Sequence, residues 1–215
     1  MAANILAIDP HKPDMRILEQ AASLLLQGEV IVCPTDTGYA LSADALNEGA
    51  IQKIFAIKGR SFNNPIHVAV SDLEEAEKYA DVSNAARILA QKFLPGALTI
   101  VLLRKKTVPS LLTAGLPTIG IRIPDSPCIL ALTRMVRRPL TTTSANVSGK
   151  ETPFTAQEAI ERLGESIGLV ALVLDQGPLP GTETSTLLDL SVSPPCLLRQ
   201  GRIKEEEIMK VLRST

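Results

Sequence analysis

Tryptophan is absent from this chain of 215 residues, and aromatic side chains make up only 3% of it. A core must then come from Leu, Ile, Val and Ala. The aromatic platforms on which unpaired nucleic-acid bases stack are nearly missing. Neither sign of charge prevails, with 22 Lys and Arg against 23 Asp and Glu and a net charge of -1. A protein built mainly to grip nucleic acid carries a basic excess or stripe. The balance here points to a small, defined polar ligand. Histidine is limited to His11 and His67, and the three cysteines, Cys33, Cys128 and Cys196, form no C-x-x-C pair. That argues against a zinc ribbon, a redox dithiol and a disulfide framework, and leaves three reduced cysteines acting as small hydrophobes. No metal held by side chains is expected. No apolar run is long enough to span a bilayer, and Asp9-Pro10 falls where a signal peptide needs an apolar stretch. A cytoplasmic protein with no membrane contact is expected.

The length suits a single domain over 1–215 that can bury its own core. There is no internal repeat. Ile17, Leu18, Ala21, Leu24 and Leu25 give one apolar face to a helix that starts near 13–14 and stops at Gly28. Further helices are expected over 48–57, 72–79, 83–93, 129–136, 155–163 and 205–212. Thr155 and Glu158 supply a capping-box pattern. Strands are expected over 30–33, 39–43, 66–70, 98–103, 119–123, 170–175, 186–190 and 196–199, seven or eight in all. Pro34 ends the first of these, 35–38 reads as a polar turn, and 140–143 enters a long polar loop. Some strands follow one another directly. The class is therefore α/β (α+β), a mixed sheet with helices packed on it rather than a strict doubly wound sheet.

Four polar groups lie at the ends of these elements, where ligand sites of α/β proteins gather. The hydroxyls of Pro34-Thr35-Asp36-Thr37 could hold a small polar substrate, or the segment is a turn bonding its own backbone. Lys58-Gly59-Arg60 with Asn63-Asn64-Pro65 offers an ammonium and a guanidinium to a polyphosphate, or completes a helix C-terminus. Residues 141–149 (TTTSANVSG) are rich in hydroxyls and small side chains that let backbone N–H groups approach an anion. A bland serine-rich loop is the alternative. Arg122, between Ile121 and Ile123, faces away from both and needs an anionic partner, either a structural carboxylate or a ligand. Thr184-Ser185-Thr186 and Arg199 sit at two more strand ends. Familiar motifs fail. The segment from Ser144 to Glu151 ends like a Walker A loop but has Ser144 in place of the first Gly and Glu151 in place of Ser or Thr. There is no G-x-G-x-x-G or G-x-S-x-G, and nothing around Cys33 and His67 supports a nucleophile pair.

Read in order, several short motifs resemble the YrdC-like family, whose characterised members include bacterial threonylcarbamoyl-AMP synthases. They are Pro34-Thr35-Asp36-Thr37 with Tyr39, Lys58-Gly59-Arg60, Asn64-Pro65, and Pro95-Gly96-Ala97-Leu98-Thr99. Thr113-Ala114-Gly115-Leu116 then leads to Arg122, followed by Ser144-Ala145-Asn146, Ser148-Gly149, Ser185-Thr186 and Leu198-Arg199. The resemblance runs from about 8 to 212. Each motif alone is weak, and the ordered series is specific. It implies a twisted open mixed sheet with flanking helices around a concave polar cavity. It also implies an enzyme. L-threonine and bicarbonate form N-carboxy-threonine, whose carboxylate attacks the α-phosphate of ATP. Pyrophosphate leaves, and threonylcarbamoyl-AMP passes to transfer proteins that modify the adenosine beside the anticodon of tRNA. Mg2+ is expected to arrive with ATP. By this resemblance Lys58 and Arg60 are the catalytic cations. Lys58, Arg60, Asn64, Thr118, Ser144, Asn146, Thr152 and Arg199 hold ATP. Thr35, Thr37, His67, Arg122, Thr142 and Ser185 hold threonine, with Arg122 on its carboxylate. Attack at phosphorus asks for positioning and charge neutralisation rather than a protein nucleophile, which suits these residue types.

Two segments depart from the family pattern. Ala69 stands where the family often has a histidine. His67, two residues earlier on the same strand face, either substitutes for it or is a surface histidine. Gly38-Tyr39-Ala40-Leu41-Ser42 resembles the YciO branch, whereas Lys58-Gly59-Arg60 and Ser144-Ala145-Asn146 resemble the synthase branch. The chain is expected to be the short form, without the additional C-terminal domain of longer members. Two other readings remain. One is a YciO-like nucleotide-binding paralogue with weak or no synthase activity. The other is a non-catalytic RNA-binding module using Arg104-Lys105-Lys106 and the basic residues of 134–138, runs that also allow a weak tRNA contact.

Overall fold

Backbone hydrogen bonds sort the strands into two mixed sheets in the computed structural model, which describes residues 4–59, 61–181 and 183–213. In chain order the elements begin β1 (Ile5–Ala7), α1 (Met15–Leu26), β2 (Ile31–Thr35), β3 (Gly38–Ser42), α2 (Glu48–Lys58) and β4 (Val68–Ala69). They continue α3 (Leu73–Glu77), α4 (Asn84–Phe93), β5 (Leu98–Leu103), β6 (Thr118–Arg122), α5 (Pro127–Val136), β7 (Leu140–Thr141) and β8 (Thr143–Ser144). The last are α6 (Ala156–Leu163), a 3-10 turn at Gly164–Leu169, β9 (Leu172–Asp175), β10 (Thr186–Asp189), β11 (Cys196–Arg199) and α7 (Glu205–Arg213).

The first sheet has the order β1-β9-β2-β3-β8 and the second β11-β10-β5-β6-β4-β7. Each contains parallel and antiparallel neighbours. The edge strands β7 and β8 are separated only by Thr142, so the chain steps from one sheet to the other at that residue. The mixed α/β class expected from the sequence stands.

Alternation along β2 builds the core on both faces of the first sheet. Val32 joins a large apolar cluster that runs through Ile51, Ile54 and Phe55 of α2 to Val68, Ile100 and Ile121 of the second sheet. Ile31 and Cys33 face the other way, onto Leu18 and Leu25 of α1 and Ile129 and Leu132 of α5. Each such side chain contributes about 1.5–3 kcal/mol when fully buried. Burial pushes the Cys33 thiol up to about 12 and the Cys128 thiol well above its usual value, as expected of cysteines acting as hydrophobes. Local chemistry sets the helix ends. Asp14, Asn47 and Ser83 accept from backbone N–H groups of α1, α2 and α4, and Gly59 ends α2 at a φ of 55°. Thr155 caps α6 as its sequence predicts, but the Glu158 carboxylate accepts from Phe154 N at 2.7 Å, one residue before the cap.

The described residues contain eleven strands, more than the seven or eight expected. The segment 140–143 is no simple loop entry, because it contributes to β7 and β8. The strand expected over 66–70 pairs only at Val68–Ala69, since Ile66 N donates instead to the Leu112 carbonyl at 2.9 Å. Two-residue strands are too short to show alternation in sequence. Pro34 does not end β2, which continues to Thr35. The neighbouring β9 pairs only with Ile31 and Val32, so no ladder partner is present where proline lacks its N–H. Among the described residues, no helix is long and apolar enough to cross a membrane.

Candidate active site

The first wall of the candidate site is the β2–β3 hairpin. Thr35 pairs with Gly38, which leaves Asp36 and Thr37 as a two-residue turn. The Thr35 hydroxyl donates to the Gly38 carbonyl at 2.7 Å and accepts from Thr37 N at 3.2 Å. Gly38 has a φ of 139°, and a Cβ there would lie 2.4 Å from Thr152 Cγ2. Both its backbone angle and this close approach require glycine. Next to it, the Tyr39 hydroxyl donates to the Gly177 carbonyl at 2.7 Å and accepts from Gln176 N at 3.1 Å. Burial raises its pKa, so the phenol stays neutral and serves as wall.

Arg122, the last residue of β6, reaches this turn. Its Nη1 donates to Thr37 Oγ1 and its Nη2 to Asp36 Oδ1, both at 2.6 Å, and Nη2 also meets the Gly96 carbonyl at 3.3 Å. The two ion-pair side chains are 6% and 11% exposed, so water screens the pair little. Of the two partners the sequence allowed for Arg122, the structure supplies the carboxylate. Burial lowers the Arg122 pKa, Asp36 opposes this, and the nearby Arg199 adds to the lowering. Its Nε remains a buried donor without a partner among the described residues. His67 precedes β4 on the strand beside β6, opposite Gly120 by extension of the register. A Cβ on Gly120 would lie 2.5 Å from His67 Cδ2. The imidazole therefore lies against a bare backbone, in the cavity wall and half-buried rather than on the outer surface.

Lys58 ends α2 and enters the opposite wall. Its Nζ donates to the Ser144 carbonyl at 2.7 Å, the Asn146 carbonyl at 3.0 Å and Asn146 Oδ1 at 2.8 Å. Ser144 Oγ also donates to Asn146 Oδ1. The Asn146 amide in turn donates to the Lys150 and Glu151 carbonyls at 2.5 and 2.8 Å. This hydroxyl-rich stretch is thus a clamped structure, not a bland loop. The third side comes from the second sheet. Ser185 Oγ bonds Thr99 Oγ1 at 2.9 Å, and Arg199 donates to the Ser185 carbonyl through Nε and Nη2 at 3.2 and 2.9 Å. Burial lowers the Arg199 pKa.

These walls enclose a cavity of about 630 Å³. Most residues singled out in sequence line it: Thr35, Thr37, His67, Arg122, Thr142 and Ser185 from one group, and Lys58, Asn64, Ser144, Asn146, Thr152 and Arg199 from the other. Thr118 does not. It opens β6 at the end opposite Arg122, about 13 Å away along the strand. Arg60 lies outside the described residues. Tyr39, Thr99 and Lys150 line the cavity without having been singled out as site residues. The first two belong to quoted motifs, and Lys150 follows Ser148-Gly149. The lining includes no Asp or Glu, and no group of three or more His, Cys, Asp or Glu among the described residues could hold a metal ion. Cations and hydroxyl donors converging without a carboxylate suit an anionic substrate.

Comparison with known proteins gives one consistent set. The family model described as "Telomere recombination", covering Sua5, YciO and YrdC, matches residues 23–201. The chain is 40% identical over 197 residues to the threonylcarbamoyl-AMP synthase of Bacillus subtilis, covering 91% of this chain and 56% of that protein. The structure of Pyrococcus abyssi Sua5 complexed with L-threonine superimposes with a TM-score of 0.92 at 35% identity, covering 97% of this chain and 60% of that one. Escherichia coli YciO gives a TM-score of 0.85 at 31% identity, covering 94% and 98%. The chain thus spans little more than half of the first two relatives and nearly all of the third.

Proposed function

The chain belongs to the Sua5, YciO and YrdC family, and from that premise we propose that it is a threonylcarbamoyl-AMP synthase. It joins L-threonine, bicarbonate and ATP into L-threonylcarbamoyladenylate and releases pyrophosphate. The observation that carries this reading is the single cavity where Arg122, Lys58 and Arg199 converge with hydroxyls from both sheets. A relative of closely similar shape, whose solved complex contains L-threonine, supports it.

In this reading Thr35, Thr37, His67, Thr142 and Ser185 surround the amino acid. Arg122 supplies a fixed positive charge for the threonine carboxylate, from a guanidinium held by Thr37, Asp36 and Gly96. Asn64, Ser144, Asn146 and Thr152 lie toward the nucleotide, with Arg60 and Arg199 neutralising its phosphates and Lys58 holding Ser144 and Asn146 in place. The carboxylate of N-carboxy-threonine attacks the α-phosphorus, the bond to the bridging oxygen breaks, and pyrophosphate carries the charge away. Such a transfer rests on positioning and electrostatics, which this lining offers without a nucleophile of its own. Mg2+ enters with ATP, because the wall offers it no carboxylate. Transfer proteins take the product to tRNA, which puts the enzyme in the cytoplasm.

The test is pyrophosphate release from ATP with bicarbonate and Mg2+, with and without L-threonine. Release that requires threonine, and that serine does not support, is the expected result. A second reading has its own support: the shape matches E. coli YciO over 98% of that chain. Nucleotide binding without threonine-dependent release selects it. Salt-dependent RNA retention with no release selects the non-catalytic module.

A further inference from the structure

An ammonium group has three protons, and the structure directs all three of the Lys58 donors onto residues 144–146. Lys58 is also buried. In this arrangement its hydrogen bonds serve the loop rather than a ligand. The loop turns another cation to the open side of the same cavity. Lys150 lines the cavity, is exposed, and makes no ion pair among the described residues. Its main chain is fixed while its side chain is not. The Lys150 carbonyl accepts from Asn146 Nδ2 at 2.5 Å, and its N–H donates to the Val147 carbonyl at 3.2 Å. Gly149, at a φ of 90°, makes the turn that presents it. Ser148 N donates to the Lys58 carbonyl at 2.9 Å, so helix α2 holds the loop through both the main chain and the side chain of Lys58.

We propose that Lys150 contacts the terminal phosphates of the nucleotide, the part that departs as pyrophosphate, and that Lys58 acts through the Asn146 clamp as a positioning residue. The inference rests on the nucleotide reading above. Charge builds on the leaving group as the bond at the α-phosphorus breaks, and an ammonium at the cavity mouth stabilises it. A long side chain on a fixed backbone can follow that group outward.

The experiment measures ATP and AMP binding by calorimetry for the wild type, Lys150→Ala and Lys150→Arg. Lys150→Ala is expected to weaken ATP about tenfold, the scale of one charge-assisted hydrogen bond, and to leave AMP unchanged. Lys150→Arg retains ATP. Equal losses for ATP and AMP, or no loss for ATP, overturn the proposal while the nucleotide site stands. A wild type that binds neither ligand overturns the nucleotide reading itself. Lys58→Met, measured alone and combined with Lys150→Ala, separates the two roles of Lys58. Its effect on the preference for ATP over AMP shrinks when Lys150 is already gone. A full, additive loss assigns Lys58 to direct phosphate contact and removes its positioning role.

Discussion

On the strand side of the cavity, Arg122 bonds Thr37 and Asp36 at 2.6 Å each, from within hydrogen-bonded sheets and almost out of reach of water. On the loop side, Lys150 stands exposed on a segment gathered around one asparagine amide. The first wall presents fixed donors whose angles are set before a ligand arrives, the condition for recognising a small molecule at several points. The second presents charge that can move with a flexible anion. The ion pair in the first wall is better read as a device for geometry than for stability, because desolvation offsets much of its attraction.

Arg122→Ala tests this contrast most severely. It leaves the Asp36 carboxylate in its buried turn without a partner, so denaturant unfolding should show a loss of about 3 kcal/mol, and threonine-dependent turnover should disappear. Arg122→Lys should not restore turnover, since an ammonium cannot reproduce the fork to Thr37, Asp36 and Gly96. Unchanged stability in both variants would mean that the hairpin does not depend on the pair. Asn146→Ala should come next, at about 2 kcal/mol for the broken clamp, with ATP binding weakened more than threonine binding. Equal weakening of the two ligands would erase the distinction between the walls.

Gly120→Ala is a smaller change within the first wall. The added methyl displaces the His67 ring toward the ligand, so the threonine KM should rise several-fold with kcat nearly unchanged. In a His67→Ala background the same substitution should have almost no effect, because its steric partner is gone. An undiminished effect there would dissociate Gly120 from His67. The mildest test leaves the chain unaltered. Of the three cysteines only Cys196 is exposed, and burial holds the Cys33 thiol at about 12 and raises Cys128 as well. A thiol reagent at pH 8 should therefore modify one cysteine in the native protein and all three after unfolding. Rapid native reaction of Cys33 would show that the hairpin wall opens.

Much of this architecture could be read in the chain. The apolar face of α1, the strand at Leu98–Leu103 and the hydroxyl-rich stretch after Leu140 come from periodicity and composition within short windows. The ordered motifs pointed to residues that the fold does bring around one cavity. The short strands β4, β7 and β8 were not legible as drawn, because pairing with neighbours, rather than their own alternation, defines them. Nor was the position of Thr118, which shares a strand with Arg122 but stands at its far end.

The sequence by itself determined the helices and the longer strands, which faces are apolar and which short stretches carry polar chemistry, because those signals act over a few neighbouring residues. Only the tertiary structure decided that the strands form two sheets joined at Thr142, that Arg122 meets Asp36, that His67 lies on Gly120 and that Lys58 grips Asn146. These contacts join residues as much as 88 positions apart. Their partners are selected by sheet register and by the burial of polar groups that must find one another, and no local window of sequence contains either.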